Sequence, residues 1–246
     1  MTTLPADRYL QLLATDGGRL GAAASRDLAA RVPGCPEWDA SALVAHTSVI
    51  HRWVAEVVGT RSRERVSRRH IVAPEGGQEI LEWYGAGLEA LRRALAEAGP
   101  DAAVWNWTGA SATAAFWFRR MAQETAVHRW DAESATGTPA PLDADLAGDG
   151  IAEMLDVFLP LTSAAGEAPD LGGSLHVHTT DVEGEWTLRP GPDRLEVERG
   201  HGKGDAALRG PASDVLLALW GRPVLDGVEI FGDASVVERW RQLFRF

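Results

Sequence analysis

Trp117-Phe118-Arg119-Arg120-Met121-Ala122-Gln123-Glu124-Thr125-Ala126-Val127-His128-Arg129-Trp130-Asp131 is the stretch on which the fold turns. It contains no proline or glycine, and Trp117, Met121, Glu124 and His128 step by four, three and four. Side chains at that spacing share one face of an α-helix, expected here from about Ala112 to Thr136. Two large apolar groups and two ligand-type polar groups therefore point the same way. A carboxylate buried on such a seam costs several kcal/mol unless a cation, a proton or another compensating charge meets it. The helix thus implies partner helices on its apolar side and a partner for Glu124.

Upstream, three more helices are legible. Tyr9, Leu12, Leu13 and Leu20 recur at helical spacing between Leu4 and Leu28, despite the Gly17-Gly18 pair. Val32-Pro33-Gly34-Cys35-Pro36 breaks that pattern, since proline cannot donate to a helix ladder and biases its predecessor away from helical geometry. Asp39 is placed to cap a second helix from about Ala40 to Val58, with Leu43, His46, Ile50 and Trp53 on one stripe. A third, from about Gln78 to Ala98, carries Ile80, Tyr84, Leu88, Leu91 and Leu95 and stops at Gly99-Pro100. The arginine-rich connection between the second and third is long for a bundle loop and reads as a solvated crossover.

Downstream, Pro139 and Pro141 mark a hinge, followed by a helix from about Asp143 to Leu161. Period-two runs then appear at Ser174–Thr179, Glu185–Leu188 and Arg194–Glu198, with Gly191-Pro192-Asp193 as a hairpin turn. Short helices at Pro211–Trp220 and Ala234–Phe244 frame Val224–Phe231. The expected class is α+β, with a helical domain over 1–140 and a small α+β domain over 141–246.

Composition limits the function classes. Of 246 residues, 45% are apolar and 24% charged, the balance of an ordinary globular protein, and the formal charge is −11. That charge disfavours nucleic acid and anionic membranes as partners. A single cysteine, Cys35, excludes an intrachain disulfide and an all-thiolate zinc site within one chain, and core packing is its expected role. Charged residues interrupt the first twenty positions, so no signal-peptide core is expected, and the cytoplasm is the expected compartment. Oligomeric state is not readable from the sequence.

Glu124 and His128, at i and i+4, aim both heads at one spot, and His46 reaches it if the second and fourth helices are neighbours. Three such ligands with open positions are the makeup of a catalytic divalent site, zinc being the expected ion, whereas a structural zinc site would be closed by four. The competing reading pairs Glu124 with a buried arginine such as Arg120 and leaves both histidines as packing. His51, five residues beyond His46, points off the metal stripe as a residue behind the ligands or at the surface. His176 and His178 share a strand face without an evident third partner, so an ordinary strand-face pair is expected. Trp105, Trp107 and Trp117 suit either a pocket wall or a core.

The chain resembles the mycothiol-dependent maleylpyruvate isomerase family in three runs. These are Val32-Pro33-Gly34-Cys35-Pro36-Glu37-Trp38, Leu43-Val44-Ala45-His46 with His51-Arg52-Trp53, and Met121 through Glu133. The resemblance implies a DinB-like four-helix bundle whose metal ligands fall on His46, Glu124 and His128. Ala212 through Arg222 is similar to the sterol-carrier-like domain that follows the bundle in that family. Zinc and mycothiol, a cysteine-containing thiol, are the implied cofactor and cosubstrate, with a small-molecule electrophile as second partner. A thiol bound to a divalent ion loses its proton near neutral pH and attacks an electrophilic carbon, as isomerase or as S-transferase. Arg222, beside Trp220-Gly221, is the expected catalytic and cofactor-binding cation, gripping a carboxylate of thiol or substrate; a salt bridge is its plain alternative. Two other functions fit the same sequence: a thiol-exchange or thiol-transfer enzyme of natural-product biosynthesis, and a non-catalytic carrier of a hydrophobic small ligand.

Overall fold

The computed structural model describes residues 3–108, 112–163 and 169–244. The chain divides into two compact units, one spanning Leu4–Ala140 and the other beginning at Pro141.

The first unit is a four-helix bundle of α1 (Ala6–Ala24), α2 (Ala40–Gly59), α3 (Gly77–Ala98) and α4 (Ala115–Thr136). α1 lies along α4 and α2 along α3, while α2 also meets α4. Leu13, Leu20, Leu43, Val44, Ile80, Leu91, Leu95 and Trp117 are fully buried between them. Each such side chain contributes about 1.5–3 kcal/mol relative to exposure, which offsets the cost of ordering the chain. The first glycine of the α1 pair has a packing reason: a Cβ on Gly17 would lie 2.6 Å from Leu88 Cδ2, so α3 packs directly against that turn, whereas one on Gly18 would meet nothing within 4 Å.

Asp39 caps α2 as expected, its side chain accepting from the Ala42 backbone N–H at 2.8 Å. The Pro-flanked loop before it closes on itself, with Val32 N–H donating to Trp38 O and Trp38 N–H to Cys35 O. Cys35 is in no disulfide and packs, partly buried, against the bundle core. α1 stops at Ala24 rather than near Leu28, and α4 starts at Ala115 rather than Ala112 because Ala103 and Thr113 form an isolated β-bridge. α4 is buried on nearly every side, so its charged residues need internal partners. Arg129 shows how they are met: its guanidinium donates to Asp16 Oδ1 of α1 at 3.0 Å and to Glu133 Oε2 at 2.9 Å.

The second unit opens with α5 (Ala144–Glu153), capped by Asp143. It runs through a π-helical turn, Met154–Phe158, into α6 (Leu159–Thr162). Pro160, two residues past that turn, has no N–H for an α-helical bond. Five strands form a sheet in the order β3-β2-β1-β4-β5: β1 (Leu175–Thr179), β2 (Glu185–Pro190), β3 (Leu195–Arg199), β4 (Ala206–Gly210) and β5 (Glu229–Gly232). All pairs are antiparallel except β1 with β4. The hairpin at Gly191-Pro192-Asp193 is present, closed by Gly191 N–H to Arg194 O. β4 lay outside the expected strands, since Ala-Ala-Leu-Arg-Gly has no β-branched or aromatic residue to signal it. α7 (Ala212–Leu219) and α8 (Ala234–Leu243) complete the unit, and Trp240 of α8 donates to Leu219 O at 3.1 Å. Leu175 and Val177 of β1 and Trp186 and Leu188 of β2 are fully or almost fully buried on one face, while the opposite face carries His176, His178, Glu185, Thr187 and Arg189. The α+β class, with a helical half followed by an α/β half, agrees with expectation. Among the described residues no helix is long and apolar enough to cross a membrane.

Candidate metal site

The α2–α4 contact brings His46 to the seam of α4. Nε2 of His46 and Nε2 of His128 each lie 3.4 Å from the same Glu124 oxygen, Oε1. One ligand atom from each of the three falls within 4.8 Å of the others, and among the described residues no other group of three or more metal-type side chains converges this way. His46 and Glu124 remain partly open, whereas His128 is 8% exposed. Access is therefore from the His46 side.

Three further groups hold this arrangement. Asp131, one turn beyond His128 and wholly buried, meets His128 Nδ1 at 3.0 Å. That bond leaves Nε2 facing Glu124, and such a carboxylate behind the ring is how a metal-bound histidine is usually supported. Arg120, one turn before Glu124, donates to the other carboxylate oxygen at 3.2 Å. Glu124 thus meets Arg120 through one oxygen and faces both histidines with the other. Trp38, presented by the closed loop before α2, lies tilted at 4.7 Å from the His46 ring and 6.1 Å from that of His128.

The electrostatics follow from these contacts. Burial alone would raise Glu124, but hydrogen bonds from His128 and His46 and the charges of His128 and Arg120 hold it well below the usual carboxylate range. Burial alone would lower His128, yet its bonds to Asp131 and Glu124 and their charges push it up to about 9. The two carboxylates of Glu124 and Asp131 draw positive charge to this point, as a proton on His128 or as a divalent ion in its place. Two imidazoles and a carboxylate suit zinc and leave positions open for an exchangeable group.

His51 is fully buried rather than at the surface; its Nε2 lies 2.9 Å from the hydroxyl of Thr125, the residue beside Glu124. It is no ligand, but it ties α2 to α4 directly behind the carboxylate. Asp131 and Trp38 carried no assigned role in the sequence, although the i, i+3 step from His128 to Asp131 was there to be read.

Arg222 belongs to the second unit, 7% exposed, with its Nη1 donating to the Trp220 carbonyl at 3.0 Å. Trp105, Trp107 and Trp117 cluster with Trp53 and Phe116, mostly edge to face but with Trp53 stacked on Trp107, and Trp117 is fully buried. A cavity of about 290 Å³ lined by Arg52, Glu56, His70, Ile71, Val72 and Trp83 contains none of the three ligand residues.

The model of the mycothiol maleylpyruvate isomerase N-terminal domain matches residues 10–133, and that of the MDMPI C-terminal domain matches residues 145–239. No curated protein matches the chain. Among solved structures, the crystal structure of the mycothiol-dependent maleylpyruvate isomerase is similar over 94% of this chain and 95% of that one, at 18% identity and a TM-score of 0.65. A mutant of that isomerase with one histidine changed to alanine is similar over the same shares, at 16% identity and a TM-score of 0.64. Identities this low speak for the shared fold alone. The two family matches run along most of the sequence, one on each side of the proline hinge, and the chain belongs to the mycothiol maleylpyruvate isomerase family.

Proposed function

We propose that the chain is a metal-dependent enzyme that presents a low-molecular-weight thiol, mycothiol, as a nucleophile to an electrophilic small molecule, with isomerisation as the reaction. The observation that carries this reading is the convergence of His46, Glu124 and His128 on one point with the point's near side open. A divalent ion, zinc by its donor set, would be held by these three and, when bound, lowers the pKa of a thiol so that thiolate prevails near neutral pH.

The chain's own residues account for the rest. Asp131 orients His128 and fixes which ring nitrogen faces the site. Arg120 holds Glu124 in place and keeps its carboxylate ionised. Trp38 walls one side of His46 with an apolar ring, excluding water from that edge. Arg222 is assigned the recognition of a carboxylate on thiol or substrate, through a guanidinium suited to bidentate pairing. Addition of the thiolate to an activated double bond permits rotation before the sulfur leaves, and retention of the adduct instead would make the reaction an S-transfer. The boundary between a catalytic bundle over 1–140 and a supporting domain over 141–246 is part of the same proposal, as is a cytoplasmic location.

Elemental analysis of the purified protein beside His46→Ala, Glu124→Ala and His128→Ala, followed by turnover with mycothiol and maleylpyruvate, tests it. One zinc per triad, lost in all three variants along with at least a hundredfold of thiol-dependent turnover, is expected. Undiminished turnover in the variants, or stoichiometric binding of an apolar ligand with no thiol-dependent turnover, overturns it.

A further inference from the structure

Three of the chain's seven histidines surround one carboxylate on the polar face of the C-terminal sheet. His176 and His178 alternate along β1, and the strand register sets Thr187 opposite His176 and Glu185 opposite His178. Nε2 of His176 lies 3.4 Å from Glu185 Oε2, Nε2 of His178 3.4 Å from Oε1, and Nδ1 of His201 3.0 Å from Oε2. The partner missing from the strand-face reading of His176 and His178 is thus supplied by β2 and by the loop after β3.

That loop, Gly200-His201-Gly202-Lys203-Gly204, is folded hard onto the sheet. A Cβ on Gly202 would lie 2.4 Å from Thr187 Oγ1, and one on Gly204 would lie 2.6 Å from Ala206 O and 2.7 Å from His176 N. Both positions therefore require glycine, and their close approach buries His176 and Thr187 to 7% and 1% exposure. Two polar atoms are sealed there without a well-formed hydrogen bond: Thr187 Oγ1, and His176 Nε2, whose one contact is the long 3.4 Å approach to Glu185. Buried polar atoms are normally satisfied, and an unsatisfied pair side by side marks the place of a missing polar or ionic ligand.

We propose that His176, His178, Glu185 and His201 form a second binding site for a divalent transition-metal ion of the zinc or nickel class. Three imidazoles and one carboxylate are a donor set these ions favour over calcium or magnesium, which take oxygen. The ring nitrogens each reach Glu185 but are not mutually gathered as those of the bundle triad are. Binding draws in His201, whose side chain is 87% exposed on a glycine-flanked loop, and this rearrangement makes the site weaker than the triad.

Equilibrium dialysis of the full chain against excess Zn²⁺, with elemental analysis, provides the test. Two ions per chain are expected in the wild type, and one each in His128→Ala and in the double variant His178→Ala/His201→Ala. Single His178→Ala and His201→Ala changes should weaken the second ion at least tenfold. In the His128→Ala protein, ring NMR signals of His176, His178 and His201 should shift on zinc addition, with those of His70 serving as an internal control. Equal zinc uptake with and without His178 and His201, or unmoved His176 and His178 signals, overturns the proposal. Because the ring signals are read in a variant that lacks the bundle site, failure here and failure of the catalytic reading are separate results.

Discussion

His51 shows how one residue's environment sets a pH dependence. Its ring is fully buried, one nitrogen meets Thr125 at 2.9 Å, and the other, Nδ1, has no hydrogen-bond partner. A proton on Nδ1 would bury an unpaired charged donor. Burial accordingly lowers the ring from 6.5 to about 3; the Glu124 charge opposes the shift, and His128 and His46 add to it. The unfolded chain thus takes a proton below pH 6.5 that the folded chain refuses. This contribution to stability is complete above 6.5 and is lost as pH falls towards 3, at up to about 1.4 kcal/mol per pH unit. Subtracting the urea-unfolding profile of His51→Gln from that of the wild type between pH 7 and 4 isolates it. The difference should narrow steadily with acidification; a difference independent of pH would show that His51 does not stay neutral. The sequence placed His51 off the metal stripe, which is right in angle, but five residues of helix say nothing about whether that second face is also covered. Only the packing of α2 against both α3 and α4 decides that.

Elements were legible where a period and a stop signal coincide. α2 and α3 emerged within a residue or so of their expected bounds because Asp39 and Gly99-Pro100 punctuate strong apolar stripes. β4 escaped because its identity comes from pairing with β1 and β5 rather than from its own side chains. The convergence of His46, Glu124 and His128 was legible because two of the three, at i and i+4, sit on one helix, whereas Trp38 depends on a loop closure that no periodicity encodes. α4 itself illustrates a limit of stripe reading, since its charged residues are buried as well as its seam. The joint between α1 and α4 is ionic: Arg129, 1% exposed, spans Asp16 and Glu133, and burial raises the Asp16 carboxyl despite the guanidinium beside it. Replacing Arg129 by alanine leaves Asp16 buried without that donor, so a loss of about 3–5 kcal/mol is expected in denaturant unfolding. Arg129→Ala with Asp16→Asn and Glu133→Gln should recover part of it, because no uncompensated charge then remains. A loss under about 1 kcal/mol for Arg129→Ala would mean that this buried ion pair does not join the two helices.

At the scale of the molecule, each unit has its own buried core, so an ion bound by one need not stabilise the other. A ligand that binds only the folded state stabilises it by about 2.7 kcal/mol at a concentration a hundredfold above its dissociation constant. If His46, Glu124 and His128 hold the tighter ion, the first equivalent of zinc should act on the bundle alone. Hydrogen exchange with mass readout can resolve this, since amides of α2 and α4 open together with the cross-helix ligands they carry. One equivalent of zinc is expected to slow exchange in peptides covering Ala40–Gly59 and Ala115–Thr136 roughly in proportion to that free energy, while β1 and β2 stay at their metal-free rates. Further zinc should then protect β1, β2 and the 200–204 loop. Protection that begins in the sheet would reverse the order of the two sites, and uniform protection from the first equivalent would mean that the units unfold as one cooperative body.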